Sequence, residues 1–249
     1  MRGLQGKNII VTGGASGIGR AIARRLGEEG AVVAVFDING TGADKVVGEI
    51  TSAGGTAHAY AVDITSYDAV KQGVGAFEKD AGPVDGLVNN AGWDKAEPFL
   101  QSQPEIWNKV IAINLYGPIH MCHAVLQGMA ERGRGRIVSI ASDAGRVGSS
   151  GEAVYSACKG GIIAMTKTMA RELARTGITL NTVCPGPTET PLLAEVNERL
   201  REALKRAIPM KRLAQPEDYP GMVAFLLSDD AGYITGQTIS VSGGLTMHG

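Results

Sequence analysis

The stretch Asn8-Ile9-Ile10-Val11-Thr12-Gly13-Gly14-Ala15-Ser16-Gly17-Ile18-Gly19 decides the fold. A short apolar run, Asn8 to Thr12, breaks off into glycines, and Ile18, Ile22 and Leu26 then recur at helical spacing as far as Gly30. Ala31 to Phe36 is a second apolar run of strand length. Strand, glycine loop, helix, strand is a βαβ unit. Glycines at 13, 17 and 19 permit a tight turn and let backbone N–H groups and a helix N-terminus approach a pyrophosphate. The spacing Gly13-x-x-x-Gly17-x-Gly19 departs from G-x-G-x-x-G, and the loop taken alone also reads as a plain strand-to-helix turn.

Outward from this unit the alternation continues. Helices are predicted over about 41–53, 66–81, 104–131, 152–176, 192–207 and 216–228. Strands are predicted near 56–62, 84–89, 136–141, 178–184 and 237–241. Continuously apolar strands alternating with helices predict an α/β fold, one doubly wound Rossmann-type domain over residues 1–249 with a parallel sheet covered on both faces. After Pro185 the rhythm breaks at Gly186, Pro187 and Pro191, and residues 188–212 read as a charged amphipathic insertion, a lid over a site.

Composition excludes several classes. With 249 residues, a net charge of −1 and 44% hydrophobic content, the chain carries no basic excess for nucleic acid. It shows no signal-peptide pattern and no apolar run long enough to span a bilayer, so the cytoplasm is the expected location. Cys122, Cys158 and Cys184 form no C-x-x-C and suggest neither a disulfide framework nor zinc. His120 and His123 stand three apart without a nearby carboxylate or thiolate cluster, so packing or a subunit contact is expected there and no metal.

The chemistry concentrates between Ser142 and Lys159. Ser142 follows the apolar run 136–141, a Gly/Ser loop follows it, and Tyr155 and Lys159 stand four apart on one helix face. A free tyrosine is a poor base at neutral pH; an ammonium one turn away, beside a positively charged nicotinamide ring, favours the phenolate. An exposed i,i+4 pair is the ordinary reading of Tyr155 and Lys159 alone, and it yields only to their combination with Ser142 and the glycine loop. Ser142 is placed to hydrogen-bond a substrate oxygen on which charge develops.

Asp37 ends the second strand, where an acid bonds the ribose hydroxyls of NAD and repels the extra phosphate of NADP. Ser16 and Ile38 beside it are neutral, so NAD is the expected cofactor, against the plainer reading of a solvated aspartate before the Asn39-Gly40 turn. Asp63 reads either as a contact to adenine or as a helix N-cap. Asn114 stands mid-helix between Ile113 and Leu115, where an amide with a backbone partner is the ordinary reading. Trp93 and Arg146 read equally as substrate contacts or as a packing aromatic and a solvated loop charge. Lys205, Arg206, Lys211 and Arg212 stand opposite CoA phosphates in one reading; alternation with Glu198 and Glu202 favours an ordinary solvated helix.

Together, Thr12-Gly13-x-x-x-Gly17-x-Gly19, Asn89-Asn90-Ala91-Gly92, Asn114, Ser142, Tyr155-x-x-x-Lys159 and Pro185-Gly186 resemble the short-chain dehydrogenase/reductase family, in order and spacing over nearly the whole chain. The resemblance implies a seven-stranded parallel sheet, a nicotinamide cofactor, a homotetramer and a catalytic set of Asn114, Ser142, Tyr155 and Lys159. In that set Lys159 also binds the nicotinamide ribose, and Asn114 holds a water that relays protons from Lys159 to solvent. It further implies a cofactor site from Gly13, Ser16, Gly17, Ile18, Gly19, Asp37, Asp63, Ile64, Asn90, Gly92, Tyr155, Lys159, Pro185, Gly186, Thr188 and Thr190.

Four variable segments carry a narrower resemblance: Asn90 to Asp94, Ser142 to Tyr155, Cys184 to Thr190 and Ser240 to Met247. They are similar to those of family members that oxidise 2-hydroxycyclohexanecarboxyl-CoA to 2-ketocyclohexanecarboxyl-CoA in the anaerobic degradation of alicyclic and aromatic acids. The reaction so implied is oxidation of a secondary alcohol beta to a CoA thioester. The alternatives are 3-oxoacyl-ACP reduction, a linear 3-hydroxyacyl-CoA dehydrogenase, and a non-catalytic NAD-binding regulator. A regulator would be free to lose Ser142, Tyr155 or Lys159, and all three are present.

Overall fold

The computed structural model describes residues 1–190 and 198–247. Seven strands, β1 (Asn8–Thr12), β2 (Val32–Asp37), β3 (Thr56–Ala61), β4 (Gly86–Asn89), β5 (Gly135–Ile140), β6 (Ile178–Pro185) and β7 (Thr238–Val241), form one sheet in the order β3-β2-β1-β4-β5-β6-β7. Every neighbouring pair is parallel. The α-helices are α1 (Gly17–Glu28), α2 (Gly40–Ser52), α3 (Tyr67–Ala81), α4 (Pro104–Ile111), α5 (Gly117–Glu131), α6 (Ala144–Val147), α7 (Ala153–Glu172), α8 (Glu198–Ala207) and α9 (Pro220–Leu227). None of the described helices is long and apolar enough to cross a membrane.

The two-residue period of the strands sorts their side chains into two layers. Ile9, Val11, Val33 and Val35 join Ile22 and Leu26 of α1, Val46 and Ile50 of α2 and Val223 and Leu226 of α9 on one face. Ile10, Ala34 and Phe36 join Val70 and Phe77 of α3 and Met121 and Val125 of α5 on the other. Both faces of β1 are therefore dry, which is why Asn8 to Thr12 are all buried. The strand order reverses between β1 and β4, and the crevice beyond their carboxyl ends is where a sheet of this kind binds ligands.

Three features depart from the sequence reading. The predicted helix over 104–131 is interrupted by a π-helical turn, Ala112–Tyr116, with Asn114 at its centre; such turns recur at functional sites. The Gly/Ser loop after Ser142 holds a one-turn helix, α6, which packs on α7. A Cβ on Gly145 would lie 2.6 Å from the Lys159 carbonyl carbon, so only glycine lets α6 approach the backbone of α7 this closely. The start of the predicted helix over 192–207 and part of the 188–212 lid lie outside the described residues; α8 begins at Glu198.

Candidate functional site

The carboxyl end of β1 and the end of β4 are stitched together by one hydroxyl. Thr12 Oγ1 accepts from the backbone N–H of Asn90 (3.0 Å) and of Ala91 (3.1 Å). Asn90 returns the contact, its Nδ2 donating to the carbonyls of Thr12 (3.0 Å) and Gly13 (3.1 Å). These bonds hold the glycine loop open over the switch point. Ser16, exposed at the N-cap of α1, makes no side-chain capping bond, and the first turn carries no acid, so the N–H groups of Gly17, Ile18 and Gly19 have no side-chain acceptor from the cap.

That end of α1 fits a pyrophosphate. Gly17 has φ +52°, and a Cβ there would meet only the Thr190 methyl, at 3.8 Å, so the cradle is open on that side. A Cβ on Gly19, by contrast, would sit 2.1 Å from the Gly13 carbonyl oxygen. Asp37 closes the other end of the cradle: Oδ2 accepts from Ala15 N (3.0 Å) and Oδ1 from Asn39 N (2.9 Å). The nearest α1 cation in sequence, Arg20, is committed to Glu49 through three hydrogen bonds, the shortest 2.9 Å.

Asp63 is exposed, and its Oδ1 accepts from the backbone and hydroxyl of Thr65 (2.9 and 2.7 Å). The N-cap reading of Asp63 is thereby corrected: Ser66 caps α3, accepting from Ala69 N. The Ile64 carbonyl lies 2.9 Å from His120 Nδ1, and the Ile64 side chain fills the space that Gly117 leaves. His120 and His123 pack on the Tyr67 ring, each with centroids 5.5 Å apart, in keeping with a packing role. On the far side of the crevice Pro185 ends β6, Gly186 N donates to Val241 O, and buried Thr188 donates to the Gly186 carbonyl at 2.8 Å.

Ser142 leaves β5 beside this crevice, and its Oγ accepts from Ala144 N at 3.1 Å. It also hydrogen-bonds the Tyr155 phenol across the gap to α7. Lys159 follows one turn later, buried, with Nζ donating to the Ile140 carbonyl at 3.0 Å and lying 5.4 Å from the centroid of the Tyr155 ring. Asn114 is fully buried: Nδ2 donates to Trp93 O (2.6 Å) and Val110 O (2.9 Å), and Oδ1 accepts from Trp93 N (3.3 Å). The backbone-partner reading of its side chain therefore holds, and its effect is to clamp the loop after Gly92.

Burial dominates the titration of this group. It pushes the Tyr155 phenol up, with Glu152 adding to the shift and the Ser142 hydrogen bond opposing it. Lys159 is pulled down to about 8, again by burial. In the protein without the nicotinamide ring, burial thus outweighs the Ser142 hydrogen bond and keeps the phenol protonated.

Trp93 is half-buried beneath Lys109, whose Nζ lies 3.8 Å from the ring centroid. Arg146 reaches across to β7, donating to Ser240 Oγ at 2.8 Å, and Ser240 in turn donates to Asp143. On the insertion, Lys205 pairs with Glu202 and Arg212 with Asp218, as on an ordinary solvated surface. No group of histidine, cysteine and acidic side chains suited to a metal occurs among the described residues.

Asp94 belongs to no motif that marks it in the sequence. It is 8% exposed, Oδ2 has no hydrogen-bond partner, and burial, with Glu152 and Glu97 nearby, raises it to about 6. An acid after an Asn-Ala-Gly turn looks like any loop charge; only the folded loop reveals its burial.

Residues 13–246 match the family described as enoyl-(acyl carrier protein) reductase. The chain is 44% identical over 236 residues to an acetoacetyl-CoA reductase of Rhizobium meliloti, covering 94% of this chain and 96% of that one. It is 37% identical to a 3-oxoacyl-[acyl-carrier-protein] reductase of Thermotoga maritima, covering 98% and 99%. With a (3R)-3-hydroxyacyl-CoA dehydrogenase of Mus musculus it shares 38% identity, covering 96% and 95%. The crystal structure of a point variant of actinorhodin polyketide ketoreductase with NADPH superposes over the full length of both chains, with a TM-score of 0.94 at 39% identity.

Proposed function

The chain belongs to the short-chain dehydrogenase/reductase family, and on that footing we propose that it is an NAD-dependent dehydrogenase oxidising a secondary alcohol beta to a CoA thioester, with 2-hydroxycyclohexanecarboxyl-CoA as substrate. It is an oxidoreductase of the 3-hydroxyacyl/3-oxoacyl thioester type, as its relatives are. The observation that carries the proposal is the convergence of Ser142, Tyr155 and Lys159 beside the open end of α1.

When bound, the nicotinamide dinucleotide supplies the two-electron acceptor for the alcohol carbon. The α1 N-terminus and the glycine loop would hold its pyrophosphate, and Asp37 its ribose hydroxyls. Tyr155 acts as general base, its oxygen taking the hydroxyl proton in oxidation and returning it in reduction. Ser142 Oγ accepts from Ala144 N and bonds the Tyr155 phenol; its one proton is donated to the substrate oxygen when that oxygen enters between the two hydroxyls. Lys159 spends one N–H on Ile140 O and keeps two for the phenol side and the ribose. Asn114 positions the Gly92–Trp93 backbone along the wall of the site and, through the π turn, the water path from Lys159. Trp93, with Lys109 on its face, and Arg146 border the acyl group.

NAD is favoured by a carboxylate at Asp37 and by the commitment of Arg20 to Glu49, which leaves that cation unavailable to a 2′-phosphate. Acetoacetyl- or 3-oxoacyl-ACP reduction with NADPH is the second reading, favoured by the relatives' names and by the cofactor in the actinorhodin enzyme. A homotetramer is proposed from the family resemblance. A kinetic screen of NAD and NADP against cyclic and linear hydroxyacyl-CoA esters and acyl-ACP separates the readings. Preference for NAD with the cyclic ester is expected; preference for NADP with a linear 3-oxoacyl group would overturn the substrate and cofactor together.

A further inference from the structure

Three carboxyl groups gather near the start of α7. Asp94 and Glu97 come from the loop after β4, and Glu152 stands just before α7. The two segments are tied by a backbone bond from Glu97 N to Gly151 O at 2.9 Å, while Asn114 grips both backbone groups of Trp93 from behind. The loop is thus fixed beside the start of α7, where Glu152, Tyr155 and Lys159 follow one another at helical spacing and a Cβ on Gly92 would lie 3.6 Å from Lys159 Nζ. Glu97 is balanced by Lys95 (3.1 Å), and Asp94 takes a hydrogen bond from the Lys95 backbone. Its Oδ2 has no partner, although the residue is more than nine-tenths buried. A buried carboxylate oxygen without a donor leaves its charge uncompensated beside the site.

We infer that Asp94 determines specificity at this site: with Glu152 it sets a negative field beside the reacting carbon that admits a neutral acyl group, ester or thioester, and rejects the corresponding free hydroxy acid. The inference rests on the thioester reading above and deepens it. A free 3-hydroxy acid brings its own carboxylate to the place where the thioester carbonyl lies, and two carboxylates desolvated together repel. When Asp94 is protonated, its charge is gone and the discrimination fades. The groups that face Asp94 are Glu97 and Lys95 on its own loop and Glu152, Tyr155 and Lys159 on or before α7.

The test compares kcat/KM for a 3-hydroxy acid and its methyl ester, with the hydroxyacyl-CoA in parallel, in the wild-type enzyme, Asp94→Asn and Glu152→Gln. The acid-to-ester ratio is expected to rise about 10-fold in Asp94→Asn and less in Glu152→Gln, the scale on which one removed repulsion changes a specificity ratio. The wild-type ratio is expected to rise as pH falls from about 8 to about 5.5 through the Asp94 titration, a readout that needs no variant to fold. A merely structural aspartate would depress both substrates together and leave the ratio flat, and a flat ratio in the variants and across pH overturns the proposal. Failure to turn over either ester or acid in any form counts against it equally. If the ratio moves but the hydroxyacyl-CoA is not oxidised, the charge role stands and the thioester reading falls.

Discussion

The two corners of this site are built on opposite principles. At the glycine loop the groups that hold the geometry are paired: Thr12 Oγ1 takes two backbone donors, Asn90 gives to two carbonyls, and Asp37 takes two more N–H groups. At the Ser142–Lys159 corner polarity is buried and left open: Oδ2 of Asp94, Oδ2 of Asp143 and the hydroxyls of Ser139 and Ser156 lack partners. A satisfied network fixes shape, whereas an unsatisfied one stores electrostatic demand for a ligand or a proton. The first corner can therefore be broken by sterics and lost hydrogen bonds. The second should respond to charge and pH.

The largest contrast should come from Lys159. Its folded pKa of about 8 lies below the usual lysine value of 10.5, so between those values the unfolded chain holds the extra proton and this group makes stability rise with pH. Burial raises the thiols of Cys122, Cys158 and Cys184, which pull the other way above the usual thiol range; Cys122 cancels when the two proteins are compared, whereas Cys158 and Cys184 also lose the lowering effect of the Lys159 charge in Lys159→Met. Urea denaturation of wild type and Lys159→Met at about pH 8 and about pH 9.5 should show their stability gap changing by about 2 kcal/mol in favour of wild type at the higher pH. A gap independent of pH would mean that Lys159 stays charged in the fold.

Gly19→Ala attacks the first corner sterically, since its Cβ would meet the Gly13 carbonyl oxygen. Displacing the loop should weaken cofactor binding roughly 100-fold, read by quenching or transfer of reduced-nicotinamide fluorescence, with the pH response of the Tyr155 corner retained. Thr12→Val leaves the N–H groups of Asn90 and Ala91 without their acceptor and should cost about 1–3 kcal/mol in denaturant titration. An unchanged midpoint would show that the loop does not depend on that hydroxyl. Asp37→Asn keeps the hydrogen bonds possible at one oxygen and removes the charge, so it should shift the NAD-to-NADP ratio of kcat/KM by about 10-fold toward NADP with little effect on stability.

The first corner was the more legible in sequence, and for a physical reason. Backbone constraints dictate residue type: a loop that curls under a helix N-terminus must be glycine at 17 and 19, and a strand covered on both faces must be apolar from Ile9 to Val11. The βαβ alternation and its parallel sheet follow from the same rules. The pairing of Tyr155 with Lys159 was equally visible because helical geometry is local. Burial of a charge is not local. Nothing in Trp93-Asp94-Lys95 distinguishes a solvated aspartate from a buried one, since desolvation depends on the whole packed site. The π turn at Asn114 escaped for a related reason: one extra residue in a helix leaves the apolar pattern on both sides intact.

Tyr155→Phe, assayed with hydroxyacyl-CoA and nicotinamide cofactor and, in parallel, titrated with the cofactor alone, tests the base at the Ser142–Lys159 corner. Removing the phenol oxygen takes away the proton acceptor and little else, so kcat should fall on the order of 1,000-fold while cofactor affinity stays within about 2-fold of wild type. Turnover near the wild-type rate in a variant that still binds cofactor would contradict the assignment of Tyr155 as the base, and with it the reading of the Ser142–Lys159 corner.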